Sequence, residues 1–236
     1  MKRFASWGAG LAVIASIMTG CLKSNNTPPE PFTNIKIMQM AATAPAIDMF
    51  MNGQKFNSSA LDFGIAPHGY MPFKINQYDV VYKKSGADSL VAELPKLSYD
   101  SAKAYTLLLY SKADGTAGAT RISDLPPQNA GDSKAYYRFW HLAPGVGEVE
   151  VWFGDKRMES GRNLIDNVNS GAFNSFESID ASDYRIQVKK AGTNEVLAVL
   201  ENISLARYTG FTIYLKGIEG VTGGNKDLAI GITRNF

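Results

Sequence analysis

An internal duplication constrains the fold of this chain more than any other feature of its sequence. Blocks of the first half recur in the second half with the same alternation of apolar residues and the same signs of charge. Equivalent residues lie 102 positions apart in the earlier blocks and 106 apart in the later ones, so the second copy carries four additional residues in between. The equivalent segments are 36–39 with 138–141, 47–51 with 149–153, 78–86 with 184–192, and 105–109 with 211–215.

A polar, turn-rich segment, Leu125 to Asp132, lies between the two copies. It contains two consecutive prolines, an asparagine and a glycine, which are residues that favour turns and loops. Copies of about a hundred residues have the usual size of an independent domain. We therefore expect a first repeat at residues 34–125 and a second at residues 132–236, each able to fold by itself.

Apolar residues alternate with others along short segments of both copies, which is the pattern of half-buried β-strands. The segment 47–51 is followed by Asn52-Gly53, a dipeptide that favours the tight turn of a β-hairpin. No long amphipathic helix is evident, and a lone cysteine excludes an internal disulfide. These features predict an all-β protein made of two antiparallel β-sandwiches.

The start of the chain has the layout of a bacterial lipoprotein signal. Two basic residues precede an apolar run over residues 4–18, and a glycine stands directly before Cys21, the only cysteine. The run is shorter than the roughly 20 predominantly apolar residues of a membrane-spanning helix. We therefore expect a signal peptide at residues 1–20, lipidation of Cys21, and a polar, proline-rich tether at residues 21–33.

A lipid on Cys21 would hold the mature protein at the outer membrane, on either its periplasmic or its surface face. Residues 1–20 contain two basic and no acidic residues, so the remaining chain has 22 basic and 22 acidic residues. A neutral chain without a cluster of Lys or Arg has no electrostatic footprint for nucleic acid. The expected partners are therefore the membrane, through the lipid, and a glycan or protein ligand.

The strand and turn patterns of both copies also resemble a known family. The segment Arg138 to Phe153 and its diverged counterpart Ala44 to Gly53 are similar to the opening of the domain of unknown function 4397. The resemblance extends over residues 34–236 and implies tandem immunoglobulin-like β-sandwiches in an envelope lipoprotein of Bacteroidota. Both copies lack the glycine that usually precedes the middle-strand tyrosine, with Asn76-Gln77 and Ser182-Asp183 in its place. The family implies no activity.

The sequence contains no clear catalytic, cofactor-binding or metal-binding motif. With Cys21 assigned to the lipid and only two histidines, Cys/His catalysis and cysteine-based zinc sites are excluded. His141 corresponds to Gln39 in the first copy, and both side chains can donate and accept a hydrogen bond, which favours a structural role. His68 is expected in a solvated turn. We predict a protein that is not an enzyme and has no cofactor or metal.

Aromatic residues are the remaining candidates for function. Strand alternation places Trp152 on the same face as Glu150, Phe50 repeats this arrangement in the first copy, and Trp140 lies in the best-matched motif. An exposed aromatic ring beside a carboxylate can stack on a sugar ring and bind its hydroxyl groups. The alternative is that these rings only cover the sheet against a loop or the other domain.

These observations predict a lipid-anchored cell-envelope protein with a non-catalytic binding or scaffolding role. One alternative is a cell-surface glycan-binding lipoprotein. The other is a hydrolase whose carboxylates come from distant loops and meet only in the folded protein.

Overall fold

The computed structural model describes residues 30–128, 130–131 and 133–236, and within them the backbone is largely β-strand. The predicted signal peptide at residues 1–20, Cys21 and most of the tether at residues 21–33 lie outside the described residues. Eight of the described strands precede the segment between the two copies, and eight follow it.

The strands of the first half are β1 (Phe32–Met40), β2 (Ile47–Met51), β3 (Gln54–Lys55), β4 (Met71–Lys74), β5 (Gln77–Lys84), β6 (Leu90–Ser98), β7 (Ala104–Ser111) and β8 (Ala117–Ser123). Those of the second half are β9 (Lys134–His141), β10 (Val149–Phe153), β11 (Lys156–Arg162), β12 (Glu177–Asp180), β13 (Ser182–Lys190), β14 (Val196–Leu205), β15 (Gly210–Lys216) and β16 (Ala229–Arg234). A short helix, α1 (Asp166–Asn169), and a 3₁₀ turn (Gly171–Asn174) lie between β11 and β12.

Each half is a sandwich of two four-stranded sheets, which confirms the predicted fold class. The first half has the strand orders β4-β1-β7-β8 and β3-β2-β5-β6, and the second half repeats them as β12-β9-β15-β16 and β11-β10-β13-β14. Most neighbouring strands are antiparallel. The exceptions are β1 with β7 and β9 with β15, which are parallel because the chain between them crosses to the other sheet and returns.

The strand registers confirm the duplication and both of its spacings. Ile35 lies opposite Tyr105 in the first half, and Tyr137 lies opposite Phe211 in the second half. The spacing is 102 residues from β3 to β11 but 106 residues from β4 to β12. The four additional residues therefore lie in the segment that contains α1 and the 3₁₀ turn.

The duplicated tyrosines make the same hydrogen bond in both halves. The hydroxyl of Tyr78 donates to the carbonyl of Lys74, and that of Tyr184 donates to the carbonyl of Asp180, each at 2.8 Å. Lys74 ends β4 and Asp180 ends β12, so each bond closes the turn that leads from the edge of one sheet into the other. The same tyrosine hydrogen bond therefore stabilises the equivalent turn in each sandwich.

Each sandwich encloses its own apolar core, and a third apolar cluster lies between the two halves. This cluster joins Met38, Met40 and Leu108 of the first half to Trp140 and Tyr214 of the second half. It forms because the parallel-paired strands carry buried side chains on both faces, one toward their own sandwich and one toward the other half. We call this contact the seam, and residues 31–236 accordingly form one compact unit.

Buried polar side chains cross the seam beside this cluster. Arg138 of β9 forms an ion pair with Asp124, which follows β8, and their side chains are only 1% and 0% exposed. The hydroxyls of Tyr70 and Thr106 donate to the second carboxylate oxygen of Asp124, at 2.8 and 2.6 Å. The Nε of Arg138 donates to the hydroxyl of Thr212 at 2.8 Å. Hydrogen bonds thus compensate the buried charges.

Lys36 of β1, the counterpart of Arg138, crosses the seam in the opposite direction. Its ammonium group donates to the hydroxyl of Thr233 at 3.1 Å and to a backbone carbonyl of β16. Asn235 occupies the position equivalent to Asp124, directly after the edge strand. One side of the seam therefore has an amide where the other side has a carboxylate.

The predicted boundaries at residues 125 and 132 stay a prediction, but the seam argues against independent folding of the two copies. Separated copies would expose the shared apolar cluster to water. They would also leave the guanidinium of Arg138 without its counter-charge.

Replacing Asp124 by Asn should destabilise the whole chain, because Arg138 would stay buried without a counter-charge. The expected loss in the free energy of unfolding is about 3–5 kcal/mol, measured by denaturant titration. The matched control is Asp100→Asn, which removes an ion pair with Lys103 at 2.7 Å between two exposed side chains. That control should lose less than about 1 kcal/mol, and equal losses for the two variants would contradict a central role of the seam.

The buried ammonium of Lys36 should make stability depend on pH. Burial lowers the pKa of Lys36 from 10.5 to about 8, an effect that Asp124 opposes and Arg138 increases. Between these pH values the unfolded chain holds a proton that the folded chain has released, so the free energy of unfolding rises with pH. Tyr70 acts in the opposite direction near its own titration, since burial raises its pKa.

Lys36→Met provides the control for this pH dependence because it keeps Tyr70, Asp124 and Arg138. The free energy of unfolding of the unmodified chain, minus that of the variant, should increase from about pH 8 to about pH 10.5. A difference that stays flat or falls over this range would show that Lys36 is not desolvated in the folded state.

Candidate functional site

The predicted aromatic residues Trp152 and Phe50 lie on equivalent strands, and both rings are partly exposed. A lysine covers each ring: Nζ of Lys189 is 4.2 Å from the centre of the Trp152 ring, and Nζ of Lys83 is 5.1 Å from that of Phe50. The indole N–H of Trp152 donates to Glu150 at 3.2 Å. A side chain of the neighbouring strand therefore already occupies one face of each ring.

The carboxylates beside these rings have equivalent partners in the two halves. Asp48 pairs with Lys55 at 3.0 Å, and Glu150 pairs with Arg157 at 2.9 Å. Asp48 also accepts a hydrogen bond from the N–H of Gly86 in the turn after β5. The bond from Lys55 is the main reason why the pKa of Asp48 is lowered. The repeated arrangement indicates that both carboxylates stabilise their sheets.

The pKa of Glu150 is also lowered, by a balance of opposing effects. Burial alone would raise it, but hydrogen bonds from Trp152 and Arg157 outweigh the burial. Glu150 is thus an anion whose oxygens already bind protein donors. A ligand at this face would compete with those donors.

Trp140 cannot contact a ligand in this structure, which corrects its prediction as an exposed aromatic residue. Its side chain is fully buried in the seam, with the guanidinium of Arg138 4.3 Å from its ring centre. Alternation along β9 separates the two faces of the strand. It does not reveal that the outer face is covered by the other half of the chain.

His141 and Gln39 make equivalent hydrogen bonds, as predicted. The side-chain carbonyl of Gln39 accepts from the N–H of Ala41 at 2.7 Å, and Nδ1 of His141 accepts from the N–H of Ala143 at 3.4 Å. Nε2 of His141 donates to the carbonyl of Gly147 at 3.0 Å. Burial lowers the pKa of His141, so the ring is neutral and serves the structure near neutral pH.

A pocket that the sequence did not indicate lies in the second half, where β9, β11 and β12 meet the 3₁₀ turn. Its volume is about 270 Å³, and charged side chains and a partly exposed phenylalanine line it. We call it the charged pocket. Its lining residues are Arg138, Phe139, Glu159, Arg162, Ala172, Phe173, Ser175 and Glu177.

Two buried guanidinium groups contribute to the charged pocket. Arg162 binds the carboxylate of Asp166 through two hydrogen bonds, at 2.7 and 2.9 Å, and donates to Glu159 at 3.1 Å. The ring of Phe173 lies 4.2 Å from the Arg162 guanidinium and is 37% exposed. The second guanidinium is that of Arg138, the same side chain that pairs across the seam. The pocket and the seam therefore share a residue.

Two glutamates, Glu159 of β11 and Glu177 of β12, also line this pocket. Burial raises the pKa of Glu159; Arg162 opposes this effect, and the charge of Glu177 adds to it. The hydroxyl of Tyr137 also opposes the effect of burial on this pKa. Two carboxyl groups in one pocket can serve acid–base chemistry, and they can equally bind the hydroxyl groups of a ligand.

The first half builds the same part of its sandwich from apolar side chains. Leu61 lies opposite Ile47 on β2, whereas Arg162 lies opposite the equivalent Val149 on β10. Met71 likewise begins β4, whereas Glu177 begins the equivalent β12. Both Leu61 and Met71 pack against the core of the first half. The fold therefore does not require charge at these positions, where burial of a charge costs free energy.

A second cleft, of about 230 Å³, lies in the first half beside β3 and β4. We call it the aromatic cleft. Phe56 is 37% exposed, and its ring centre is 5.4 Å from that of Phe73. Strand alternation did not indicate this cleft because its rings lie on or beside two very short edge strands. Its lining residues are Met51, Asn52, Gln54, Lys55, Phe56, Phe73 and Tyr78.

Within the described part of the chain, no group of three or more His, Cys, Asp or Glu side chains is arranged to hold a metal ion. The same residues include no helix with the length and apolar character needed to cross a membrane. Cys21, the predicted lipid acceptor, lies outside them.

The sheets and the two pockets define a tandem β-sandwich protein whose halves share a buried seam. The chain belongs to the family of the domain of unknown function DUF4397, whose model matches residues 33–152. The match covers the first half and continues into β10 of the second half. It confirms the resemblance over that part of the chain.

No curated protein matches the chain. Among solved structures, the chain is similar to CBMbc (family CBM26) from Eubacterium rectale Amy13K, crystallised in complex with maltoheptaose. The two are 13% identical, and the likeness covers 86% of this chain and 95% of that chain with a TM-score of 0.25. A likeness at this level carries no information about the ligand of this chain.

Proposed function

We propose that this chain is a lipid-anchored cell-envelope protein of the outer membrane with a non-catalytic binding role, and that the charged pocket holds its ligand. The observation that carries this proposal is the difference between the two halves. Arg162 and Glu177 stand where the first half has Leu61 and Met71. The first half folds without charge at these two positions, and a ligand that binds Arg162 and Glu177 would account for both charges.

A glycan fits the chemistry of the charged pocket. Those N–H groups of Arg138 and Arg162 that have no protein acceptor can donate hydrogen bonds, and the carboxylates of Glu159 and Glu177 can accept them. The partly exposed ring of Phe173 can stack on the C–H face of a sugar. This combination of one aromatic surface with donors and acceptors suits a ligand with many hydroxyl groups.

Hydrolysis in the same pocket is the second candidate function. Glu159, with its raised pKa, would act as a general acid, and Glu177 would act as the base. We favour binding because the carboxyl of Glu159 already accepts a hydrogen bond from Arg162 at 3.1 Å, and both Arg162 and Tyr137 lower its pKa. Those contacts oppose the proton transfer that a general acid must perform.

Glu177→Met, which introduces the residue found at the equivalent position of the first half, tests the site. Glycans are first screened for binding to the unmodified chain without its lipid. A glycan that binds should bind about tenfold more weakly to Glu177→Met and to Phe173→Ala, as measured by titration calorimetry. Glu219→Met, a change at an exposed position away from the pocket, is the control and should bind normally. Unchanged affinity in Glu177→Met would contradict binding in the charged pocket. Release of sugar fragments that stops in Glu159→Gln would establish hydrolysis instead.

The anchor is tested by Cys21→Ser. Because Cys21 is the only thiol that can receive the lipid, this variant should move from the membrane fraction to the soluble fraction of cells. Ser24→Ala, a change in the predicted tether, should stay with the membrane. Retention of Cys21→Ser in the membrane fraction would show that something other than a lipid holds the chain there.

A further inference from the structure

We propose that the aromatic cleft of the first half is a second binding site, which stacks one neutral sugar ring of a glycan. The exposed ring of Phe56 and the neighbouring ring of Phe73 are inclined by 34°, with their centres 5.4 Å apart. The ring of Tyr78 meets that of Phe73 edge to face, with their centres 6.2 Å apart, and borders the cleft. This inference extends the proposed function to a separate part of the molecule.

The second half lacks these rings. Phe56 corresponds to Met158 and Phe73 corresponds to Ile179, at the two spacings of the duplication. Both aliphatic side chains pack with the core of the second half. A sandwich of this kind therefore forms without aromatic residues at either position, so the fold alone does not explain the partly exposed phenyl ring of Phe56.

Side chains packed beneath the aromatic cleft hold the ring of Tyr78 in place. Tyr78 is fixed by its hydrogen bond to the carbonyl of Lys74, and its ring packs on Tyr99 with a centre-to-centre distance of 5.6 Å. Tyr99 packs in turn on Tyr105 at 5.2 Å, and the guanidinium of Arg121 lies 4.9 and 4.8 Å from these two rings. A surface that is already ordered loses little conformational entropy when it binds a ligand.

The rim of the cleft indicates a neutral ligand with hydrogen-bonding groups. The Asn52 amide donates to and accepts from the backbone of β5, at 3.2 and 3.1 Å, which fixes the β2–β3 hairpin. The ammonium of Lys55 is paired with Asp48, so the rim has no uncompensated charge from these groups. Gln54 offers an exposed amide that can donate and accept.

The size of the cleft limits what it can hold. Its volume of about 230 Å³ is below the roughly 300 Å³ at which pockets for larger organic ligands begin. One sugar ring, with an apolar C–H face for the phenyl groups and hydroxyls for Gln54, matches both the volume and the rim. A charged ligand would find no counter-charge there that is not already paired.

The test is an NMR titration of the mature chain with maltohexaose, cellohexaose and mannohexaose. At least one of these probes should shift the signals of Phe56, Phe73 and Tyr78. Phe56→Leu, which keeps an apolar side chain but removes the ring, should weaken that binding by about tenfold. Phe56→Tyr keeps the ring and should bind within about twofold of the unmodified chain.

Two controls separate this site from other sources of binding. Tyr208→Leu removes a ring that is 57% exposed on the second half and should leave the affinity unchanged. Glu177→Met should weaken binding at the charged pocket without affecting shifts in the aromatic cleft, so the two sites can fail independently. The proposal is overturned if none of the three oligosaccharides shifts the cleft signals at millimolar concentration, or if Phe56→Leu binds as tightly as the unmodified chain.

Discussion

The buried ion pair between Arg138 and Asp124 is the interaction on which the arrangement of the two halves depends. Burying either group without the other would cost several kcal/mol, because its charge would be removed from water without a counter-charge. Each charge comes from a different half, so the pair is satisfied only when the halves are in contact. The apolar cluster beside it adds non-directional attraction, whereas the ion pair fixes the register in which the two sandwiches meet. Lys36 on the opposite side has only neutral oxygen partners at direct hydrogen-bonding distance, which explains why burial lowers its pKa.

The duplication makes the second half an internal reference for the first. Features that recur in both copies, such as the tyrosine bonds at the sheet corner and the paired carboxylates on β2 and β10, belong to the sandwich itself. Features that appear once need another explanation. Within the described residues, the charged pocket of the second half has no charged counterpart at Leu61 and Met71, and the rings of Phe56 and Phe73 have no aromatic counterpart in the second half. The two copies share the same strand arrangement. They differ on the same side of the sandwich, beside β3 and β4 in the first half and beside β11 and β12 in the second.

Much of the fold could be predicted from the sequence because strand alternation and repeat spacing are local signals. The hydrogen-bonding role of His141 followed from its equivalence to Gln39, and the register confirmed both spacings. The prediction that Trp140 contacts a ligand was wrong, because no local pattern shows that the outer face of β9 is covered by the other half. The charged pocket was missed because its residues come from separate segments of the second half, and the aromatic cleft was missed because its rings lie on or beside two very short edge strands. One signal was nevertheless present: the four additional residues fall in the segment that forms the wall of the charged pocket.

Arg138 belongs both to the seam and to the charged pocket, so the pocket of the second half depends on contact with the first half. Its guanidinium pairs with Asp124 of the first half, donates to the carbonyl of Asn174 in the 3₁₀ turn at 3.1 Å, and lines the charged pocket. The wall of that pocket is therefore shaped by a residue of the other sandwich. A second half excised as a building block, or recombined with a different first half, would carry every lining side chain and still lack the anion that orients one of them. The smallest part of the chain that could be transferred with an intact charged pocket is therefore the two sandwiches together.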